Sequence, residues 1–265
     1  MRIDVLTLFP EMFGPVLSAS IPGRAQEAGL VELHAVNIRD YTTNKHGKVD
    51  DRPFGGGPGM VMSCQPVWDA VLATEAKDPR PAMRILLTPE GVPLNDRLVR
   101  ELACLPRLLL IAGRYEGVDE RVVEALDPLR VSVADVVLSG GEIPAMLLID
   151  AVVRRLPHAL GHDASAEEDS FAVTDPEGRP LVDCPQYTRP RVWQDREVPE
   201  VLLSGDHQVV DRWRMSRRVE RTGRFRPDLL VEAVLRLRHR GLDPMETAAP
   251  DDDTASNAEA GGPTG

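Results

Sequence analysis

Apolar runs and amphipathic segments alternate along the first 160 residues of the chain. The runs rich in branched apolar residues predict five strands, at Ile3–Phe9, Leu30–Ile38, Met83–Thr88, Arg107–Ala112 and Val131–Leu138. Some are apolar without a break, as in Leu108-Leu109-Leu110-Ile111, which is typical of a sheet covered on both faces. The alternation therefore predicts an α/β domain with a largely parallel sheet.

Helical segments with recognisable start signals lie between these runs. Asn95 is a candidate N-cap for a helix over Asp96–Leu102, and Asp119 is a candidate cap for a shorter helix over Glu120–Leu126. A third helix is predicted over Ala145–Leu156, with a proline in the first-turn position that proline favours. Strands and helices thus succeed one another in the order that a parallel sheet requires.

Composition divides the rest of the chain. Residues 161–175 are small, polar and acidic, which predicts a linker after a first domain at residues 1–160. Residues 176–246 have few strand-like runs and become helical and rich in arginine, which predicts a small, mainly helical domain. Residues 247–265 contain mostly Ala, Asp, Gly, Pro and Thr, and predict a disordered acidic tail because they cannot bury apolar area.

The charge of the chain is unevenly distributed. The formal net charge is −11, which by itself argues against a nucleic-acid partner. However, residues 246–265 contain five acids and no Lys or Arg, whereas residues 206–240 contain ten arginines and five acids. A basic stretch of this kind can contact phosphates even in an acidic protein. The simpler alternative, that these arginines only solvate a helix surface, stays open at this point.

Several classes of protein are excluded by what the sequence lacks. Cys64, Cys104 and Cys184 are far apart and have no CxxC spacing, so neither a disulfide framework nor a zinc site is predicted. No apolar run approaches the roughly 20 residues that span a bilayer. The phosphate-loop, GxGxxG, HExxH and GxSxG signatures are also missing. We therefore expect a cytoplasmic protein without a membrane segment, and no metal ligands can be named.

Glycine-containing turns follow three of the predicted strands. They are Thr88-Pro89-Glu90-Gly91, Gly113-Arg114-Tyr115-Glu116-Gly117 and Ser139-Gly140-Gly141-Glu142-Ile143-Pro144. In open α/β sheets, ligands bind beyond the carboxyl ends of the strands, where glycine lets the backbone approach a ligand closely. Each turn alone is more simply a connection between a strand and a helix. Three such turns at neighbouring strand ends favour a shared nucleotide-like ligand.

Two charged positions near these turns are candidates for chemistry. Arg154 lies near the end of the third predicted helix, where the helix dipole favours a cation, although a guanidinium there could also stabilise a developing oxyanion. The acidic segment Glu167–Phe171 is by default part of the linker. A carboxylate in it that is buried or paired with arginine would be a candidate general base.

Longer strings that contain these turns resemble the bacterial tRNA (guanine-N1-)-methyltransferase family. The resemblance runs in order from Met1 to about Glu246, so it covers both predicted domains. The strings that carry it are Arg52–Met60, Gly113–Arg121, Leu138–Met146, Glu168–Phe171, Asp183–Pro190 and Val201–His207.

The resemblance implies a fold that the periodicity does not predict. True knots are rare, so the pattern alone favours an unknotted doubly wound sheet. The family belongs to the SPOUT class, in which a mostly parallel sheet with flanking helices is tied into a deep trefoil knot. The resemblance also implies a homodimer with the methyl-donor site at its interface and catalytic residues from both subunits. Its partner is the anticodon stem-loop of tRNA, which the arginine-rich C-terminal domain would hold.

The implied reaction transfers a methyl group from S-adenosyl-L-methionine to N1 of the guanine immediately 3′ of the anticodon. N1 of guanine carries a proton and is a poor nucleophile until a base removes it. The match over Glu168–Phe171 assigns this base to Asp169, and the match around the third helix assigns stabilisation of the charge on O6 to Arg154. The resemblance also suggests assistance by Mg²⁺, for which no binding residues can be named.

Donor binding is assigned by the resemblance to the turns and to the last predicted strand. Ala134 stands where glycine is common in the family and Val136 where tyrosine is frequent, so main-chain contacts would survive while an aromatic contact is lost. The assigned residues are Leu87, Thr88, Pro89, Gly113, Tyr115, Glu116, Val133, Ala134, Asp135, Val136, Val137, Leu138, Gly140, Gly141 and Pro144.

Two other functions remain as alternatives. A SPOUT methyltransferase could modify another RNA base or a ribose, but a ribose methylase would not need the acid at Asp169. A non-catalytic RNA-binding protein with this fold would be expected to have damaged donor turns. Gly113, Gly140 and Gly141 are instead intact, as is Arg154.

Overall fold

A computed structural model describes residues 1–161 and 167–230 of the chain. The chain divides into two compact units, Met1–Glu167 and a second unit that begins at Glu168. The predicted tail at residues 247–265 lies outside the described residues. Parts of the predicted linker and of the predicted helical region lie outside them as well.

The first unit is built on one five-stranded sheet in which all neighbouring strands are parallel. The strands are β1 (Arg2–Thr7), β2 (Glu32–Asn37), β5 (Met83–Pro93), β6 (Arg107–Ile111) and β7 (Leu129–Ser132), and a separate two-stranded ribbon pairs β3 (Asp50–Asp51) with β4 (Val61–Met62). The strand order is β2-β1-β6-β5-β7, so β1, β6 and β5 are interior strands, and β2 and β7 form the edges. The predicted α/β architecture with a mostly parallel sheet is therefore confirmed.

Helices cover both faces of this sheet. The continuous apolar run of β6 has a simple explanation, because Leu108 and Leu110 belong to one buried cluster while Leu109 and Ile111 belong to another on the opposite face. The helices of the first cluster are α1 (Phe13–Leu17), α2 (Ser20–Glu27), α4 (Asp96–Ala103) and α6 (Glu142–Val153), and those of the second are α3 (Cys64–Glu75) and α5 (Glu120–Leu126); short 3₁₀ segments occur at Pro10–Met12 and Ile38–Tyr41.

A buried ion pair lies near the amino-terminal ends of strands β1 and β6. Asp4 on β1 and Arg107 on β6 are both fully buried, and their side chains meet at 2.9 Å. The Arg107 guanidinium also donates to the main-chain oxygens of Thr74 at 2.7 Å and Asp78 at 2.8 Å, beside the end of α3. Because every charge there has partners, the cost of removing it from water is offset.

Strands β7 and β5 differ most from their predicted bounds. The predicted strand Val131–Leu138 is wrong from Val133 onward, since β7 spans Leu129–Ser132 and residues 133–138 leave the sheet. Strand β5 instead continues beyond Thr88 to Pro93, with a bulge, and pairs again with β7. A Cβ on Gly91 would lie 2.3 Å from the Val131 backbone nitrogen, so this second pairing requires glycine.

Helix α6 begins and ends three residues earlier than predicted. It starts at Glu142, and Pro144 occupies its first turn, as expected for proline. It ends at Val153, and Arg154 is its C-cap residue rather than an interior one. The predicted caps Asn95 and Asp119 are confirmed, because each side chain accepts a hydrogen bond from a backbone N–H of the following helix.

The second unit contains one long helix and a small hairpin among its described residues. The hairpin joins β8 (Val192–Trp193) to β9 (Arg196–Glu197), and a 3₁₀ segment at Glu200–Leu203 follows. Helix α7 (His207–Phe225) is capped by Asp206, whose carboxylate accepts from two backbone N–H groups.

Candidate active site

A cavity of about 280 Å³ lies in the first unit, beside strand β5 and beyond the ends of β6 and β7. The predicted turns at Gly113–Gly117 and Ser139–Pro144 both contribute to its lining, as is expected near the carboxyl edge of a parallel sheet. The third predicted turn, Thr88–Gly91, is wrong, because these residues lie inside β5, although Thr88 and Pro89 still line the cavity. Its lining includes every residue that the sequence assigned to the donor except Asp135, namely Leu87, Thr88, Pro89, Gly113, Tyr115, Glu116, Val133, Ala134, Val136, Val137, Leu138, Gly140, Gly141 and Pro144.

The turn over Gly113–Gly117 forms one wall of the cavity. Tyr115 has a left-handed backbone with φ of 61°, and Gly117 has φ of 125°, so the chain reverses sharply after β6. A left-handed tyrosine costs energy and occurs where the surroundings enforce it. The enforcement comes from hydrogen bonds on both sides, because the Glu116 N–H donates to Met60 O at 3.0 Å and the Met62 N–H donates to Gly117 O at 2.9 Å.

The segment that holds this turn, Gly59–Met62, was recognised in the sequence only as part of a matched string. Gly59 has a left-handed backbone with φ of 83°, which favours glycine, and a Cβ there would also displace the Glu116 side chain, whose Oε1 would lie 2.2 Å away. The signal that could have revealed this role is the glycine-rich string itself. Its partner on the turn could not be read from the sequence.

The turn over Ser139–Gly141 crosses against the first turn at backbone distance. The Gly141 N–H donates to Gly113 O at 2.8 Å. A Cβ on Gly141 would lie 2.7 Å from the Cα of Ala112, closer than real Cβ atoms approach a backbone. Glycine at this position therefore lets the two turns touch and gives the cavity a wall made of backbone.

A buried charged network ties the same two turns together. Glu142, which is 1% exposed, accepts from the Thr7 hydroxyl at 2.8 Å and forms an ion pair with Arg114 Nε, also at 2.8 Å. The Arg114 guanidinium also donates to Ser139 O at 3.2 Å and lies 4.4 Å from the centre of the Phe9 ring. The sequence did not reveal this network, since its members come from three separated segments.

The opposite wall is an apolar segment outside the sheet. Val136, Val137 and Leu138 line the cavity, and Val137 is 91% exposed. Apolar side chains that face a cavity in this way suit a flat ring system better than they suit water. The wall has no aromatic side chain at Val136, in agreement with the departure seen in the sequence.

Asp119 begins helix α5 directly after the first turn. Its carboxylate accepts from Arg121 Nη2 at 2.8 Å, and the Arg121 guanidinium holds the pKa of the Asp119 carboxyl well below its ordinary value. Burial raises the pKa of the nearby Cys64 thiol, and its hydrogen bond with Asp119 adds to that effect. Neither residue is among those that line the cavity.

The two proposed catalytic residues belong to different units. Arg154 is half-buried at the end of α6 in the first unit and does not line the cavity. Asp169 is half-buried in the second unit, and its main-chain oxygen accepts from the Ala172 N–H at 3.1 Å.

Two further properties of the described residues bear on function. Within residues 1–161 and 167–230, no cluster of three or more His, Cys, Asp or Glu side chains is arranged to hold a metal ion. The same part of the chain contains no helix long and apolar enough to cross a membrane.

Comparison with known proteins agrees with the motifs. A family model described as tRNA (Guanine-1)-methyltransferase TrmD matches residues 1–232. A protein of Halorhodospira halophila named tRNA (guanine-N(1)-)-methyltransferase is 52% identical over 241 residues, which cover 91% of this chain and 89% of that protein. Proteins with the same name from Pseudomonas syringae pv. tomato and Pseudomonas putida are 54% and 53% identical over 235 residues, covering 89% of this chain and 92% of each relative. Because the matched region spans most of the chain, the chain belongs to the tRNA (guanine-N1-)-methyltransferase family.

Proposed function

We propose that this protein transfers a methyl group from S-adenosyl-L-methionine to N1 of the guanine immediately 3′ of the anticodon in tRNA. The observation that carries the proposal is the cavity lined by β5 and by the glycine-containing turns at Gly113–Gly117 and Gly140–Gly141, in a chain of this family. A non-catalytic protein would have no need of a cavity whose walls depend on glycines at Gly140 and Gly141.

The cavity suits a donor with an adenine ring and a charged tail. Leu87, Pro89 and Leu138 supply apolar surfaces for the ring, and the backbone of the crossed turns supplies polar groups that can read its edge. Glu116 is also among the lining residues, and its carboxylate carries a charge opposite to that of a sulfonium or ammonium group. When bound, the donor supplies a methyl group on positively charged sulfur, which no metal needs to activate.

Asp169 and Arg154 are proposed to prepare the guanine. Asp169 takes the proton from N1, which places a lone pair on that nitrogen for attack on the methyl carbon. The negative charge that this leaves on O6 is stabilised by the Arg154 guanidinium. Participation of Mg²⁺ stays a prediction of the resemblance, since the described residues offer no ligand cluster for it.

The proposal includes the knotted SPOUT topology and a homodimer. The contact of Gly141 with Gly113 is consistent with the knot, because it brings the segment that would be threaded to backbone distance from the loop around it. An experimental structure in which the chain passes outside that loop would contradict it. The apolar side chains of Ile143 and Leu147, 52% and 48% exposed on one face of α6, support the dimer. We expect Leu147→Asp to convert the dimer to a monomer in sedimentation, and an unchanged dimer would contradict this interface.

The second unit is proposed to contain the tRNA-binding domain, residues 176–246, after a linker at residues 161–175. Helix α7 carries exposed arginines beside aromatic rings. The Arg217 guanidinium lies 5.8 Å from the Trp213 ring centre, and the Tyr187 ring centre lies 6.3 Å from that of Trp213. Arginines of this kind bind phosphates without reading sequence, and binding should weaken as salt rises. Extraction of the target base from its stack costs roughly a few kcal/mol, which these contacts would offset.

The deciding experiment uses the full chain and labelled S-adenosyl-L-methionine. Transcripts of one tRNA are prepared with guanine or with adenine immediately 3′ of the anticodon. We expect label at N1 of that guanine and none in the adenine transcript. Methylation of both transcripts, of neither, or of a ribose would overturn the proposed function.

A further inference from the structure

Hydrogen bonds hold the segment that contains Asp169 on both sides of that residue. Before it, the main-chain oxygen of Glu168 is bound by a side chain of α7. After it, the Ser170 hydroxyl accepts from the Asp183 N–H at 2.9 Å, and the Phe171 N–H donates to Leu181 O at 2.7 Å. These bonds leave little freedom for the backbone of the proposed base.

One arginine of helix α7 joins both parts of this arrangement. Arg218 is only 5% exposed, in contrast to most arginines of the helix. Its Nη1 donates to Glu168 O at 2.8 Å, and its Nη2 forms an ion pair with Asp183 Oδ1 at 2.8 Å. The planar guanidinium therefore bridges the residue before Asp169 and the segment that holds the residue after it.

One turn after Arg218, helix α7 also contacts the segment around Asp183. The Val182 N–H donates to the Thr222 hydroxyl at 3.0 Å, and that hydroxyl donates to Arg218 O at 2.7 Å. Thr222 is fully buried, so these bonds are shielded from water. The inner face of α7 thus presents Arg218 and Thr222 to the segments around Asp169.

Other arginines of the same helix are exposed. Arg214 and Arg217 have side chains that are 44% and 41% exposed, and their ion pairs are with exposed acids of the helix itself. Such arginines are available to phosphates, because pairs of this kind are weak and easily exchanged. One rigid helix therefore connects a surface suited to tRNA with the clamp around Asp169.

We propose that Arg218 is a positioning residue for Asp169, and that it sets the position of the carboxylate relative to the helix that binds tRNA. The inference rests on the proposed function, in which Asp169 is the base. Arg218 itself touches neither donor nor guanine. It acts by holding the main-chain oxygen of Glu168 and the carboxylate of Asp183 in fixed relation.

The test compares two arginines of one helix in the full-length protein. Single-turnover rates with enzyme in excess and the KM for tRNA are measured for Arg218→Ala, Arg218→Lys and Arg214→Ala. We expect Arg218→Ala to lower the single-turnover rate about tenfold to a hundredfold, because a misplacement of a catalytic group by about 1 Å has effects of this size. The tRNA KM should stay within about twofold, and Arg218→Lys should recover part of the rate because an ammonium can keep one of the two partners.

Arg214→Ala removes the same charge from an exposed position of the helix and should show the opposite signature. Its KM for tRNA should rise while its single-turnover rate at saturating tRNA stays near that of the parent. Binding of S-adenosyl-L-methionine should be equal in all variants. If Arg218→Ala does not fold, as judged by thermal melting, Ser170→Ala is used instead, because it removes only the oxygen that accepts from the Asp183 N–H.

The pH dependence of the single-turnover rate separates positioning from simple destabilisation. A displaced Asp169 should change the apparent pKa of the rising limb, whereas a loss of folded protein lowers the whole profile without moving it. A folded Arg218→Ala with the parent rate, or with a rise in KM alone like that of Arg214→Ala, would overturn the inference. If the parent protein fails to methylate the guanine, the proposed function fails first, and if Asp169→Asn keeps the parent rate, the assignment of the base fails.

Discussion

The donor cavity and the Asp169 segment are held in place by different means. At the cavity, the turns after β6 and β7 contact each other through backbone atoms, and Gly141 permits that contact. Around Asp169, side chains of one helix reach out to hold that segment and the neighbouring segment around Asp183, and both lie outside the sheet. A site shaped by backbone should be insensitive to most side-chain changes, whereas a site held by side chains can be displaced by one substitution.

The largest expected effect concerns the residue at the centre of the side-chain-held region. Asp169→Asn keeps the size of the side chain but removes the base, so kcat should fall by about a hundredfold to ten-thousandfold. The dissociation constant for S-adenosyl-L-methionine, measured by calorimetry, should not change. A donor affinity that falls together with kcat would show that the two regions do not behave separately.

The matched control for this change is Asp127→Asn. Asp127 is exposed in the first unit at a left-handed position with φ of 45°, a conformation that asparagine accepts as well as aspartate. The control should have the kcat and the melting temperature of the parent protein. If it loses activity to a similar extent, the effect at Asp169 cannot be assigned to its chemistry.

A substitution at the crossed turns should have the next largest effect and should reverse the pattern. Gly141→Ala places a Cβ 2.7 Å from the Cα of Ala112, and backbone there cannot move without opening the contact with Gly113. We expect the affinity for donor to fall at least about tenfold and the free energy of unfolding to fall by about 1–3 kcal/mol. Calorimetry and urea unfolding measure the two quantities.

Gly14→Ala is the control for the added methyl group. A Cβ at Gly14 meets nothing within 4 Å among the described residues, and its backbone is helical. Alanine in a helix is favoured over glycine, so a stability equal to or slightly above that of the parent is expected. A Gly141→Ala protein with parent donor affinity would mean that the backbone contact does not shape the cavity.

A smaller effect is expected from the charged network that supports the turns. Glu142→Gln keeps a hydrogen-bond acceptor for the Thr7 hydroxyl but leaves the Arg114 guanidinium without its opposite charge. We expect a loss of about 1–3 kcal/mol in the free energy of unfolding, with donor affinity lowered by only a few-fold. Glu124→Gln, at an exposed site on α5, is the control and should melt like the parent. Equal stability of the two variants would show that the backbone contact alone holds the turns.

The same comparison explains which parts of the molecule could be predicted from the sequence. The parallel sheet was predictable because β6 is apolar on both faces, and the turn at Gly113–Gly117 was predictable because it follows that strand directly. Thr88–Gly91 was predicted as a turn but lies inside β5. The end of β7 at Ser132 was not, since Val133–Leu138 is apolar like a buried strand although it forms a cavity wall. Periodicity reports that a residue avoids water, and not which surface covers it.

Side-chain networks were beyond the sequence for a similar reason. Arg218 cannot be distinguished from its neighbours among the arginines of α7 until packing separates the inner face of the helix from the outer one. Arg114 and Glu142 are each ordinary members of a turn and of a helix start, and their pairing depends on how the two turns cross. Contacts between segments distant in sequence follow from the fold, whereas caps such as Asn95 and Asp119 depend only on local residues.

The smallest expected effect tests how far the backbone-held region depends on charge. Asp119 follows the first turn, and its folded-state pKa is lowered chiefly by the Arg121 side chain. A carboxylate with a lowered pKa contributes stability above its unfolded pKa of about 3.9 and loses it as the pH falls through the folded value. Asp119→Asn should therefore be less stable than the parent at pH 7 by under about 1 kcal/mol, because the Arg121 side chain is 72% exposed and asparagine is itself a good N-cap. The difference in the free energy of unfolding between the two proteins, measured with urea, should shrink as the pH is lowered below about 4, while donor affinity at pH 7 stays the same.

Two results would contradict this expectation. A difference in stability that does not depend on pH would assign the contribution of Asp119 to its hydrogen bonds alone. A fall in donor affinity would extend the side-chain-dependent region to the edge of the cavity.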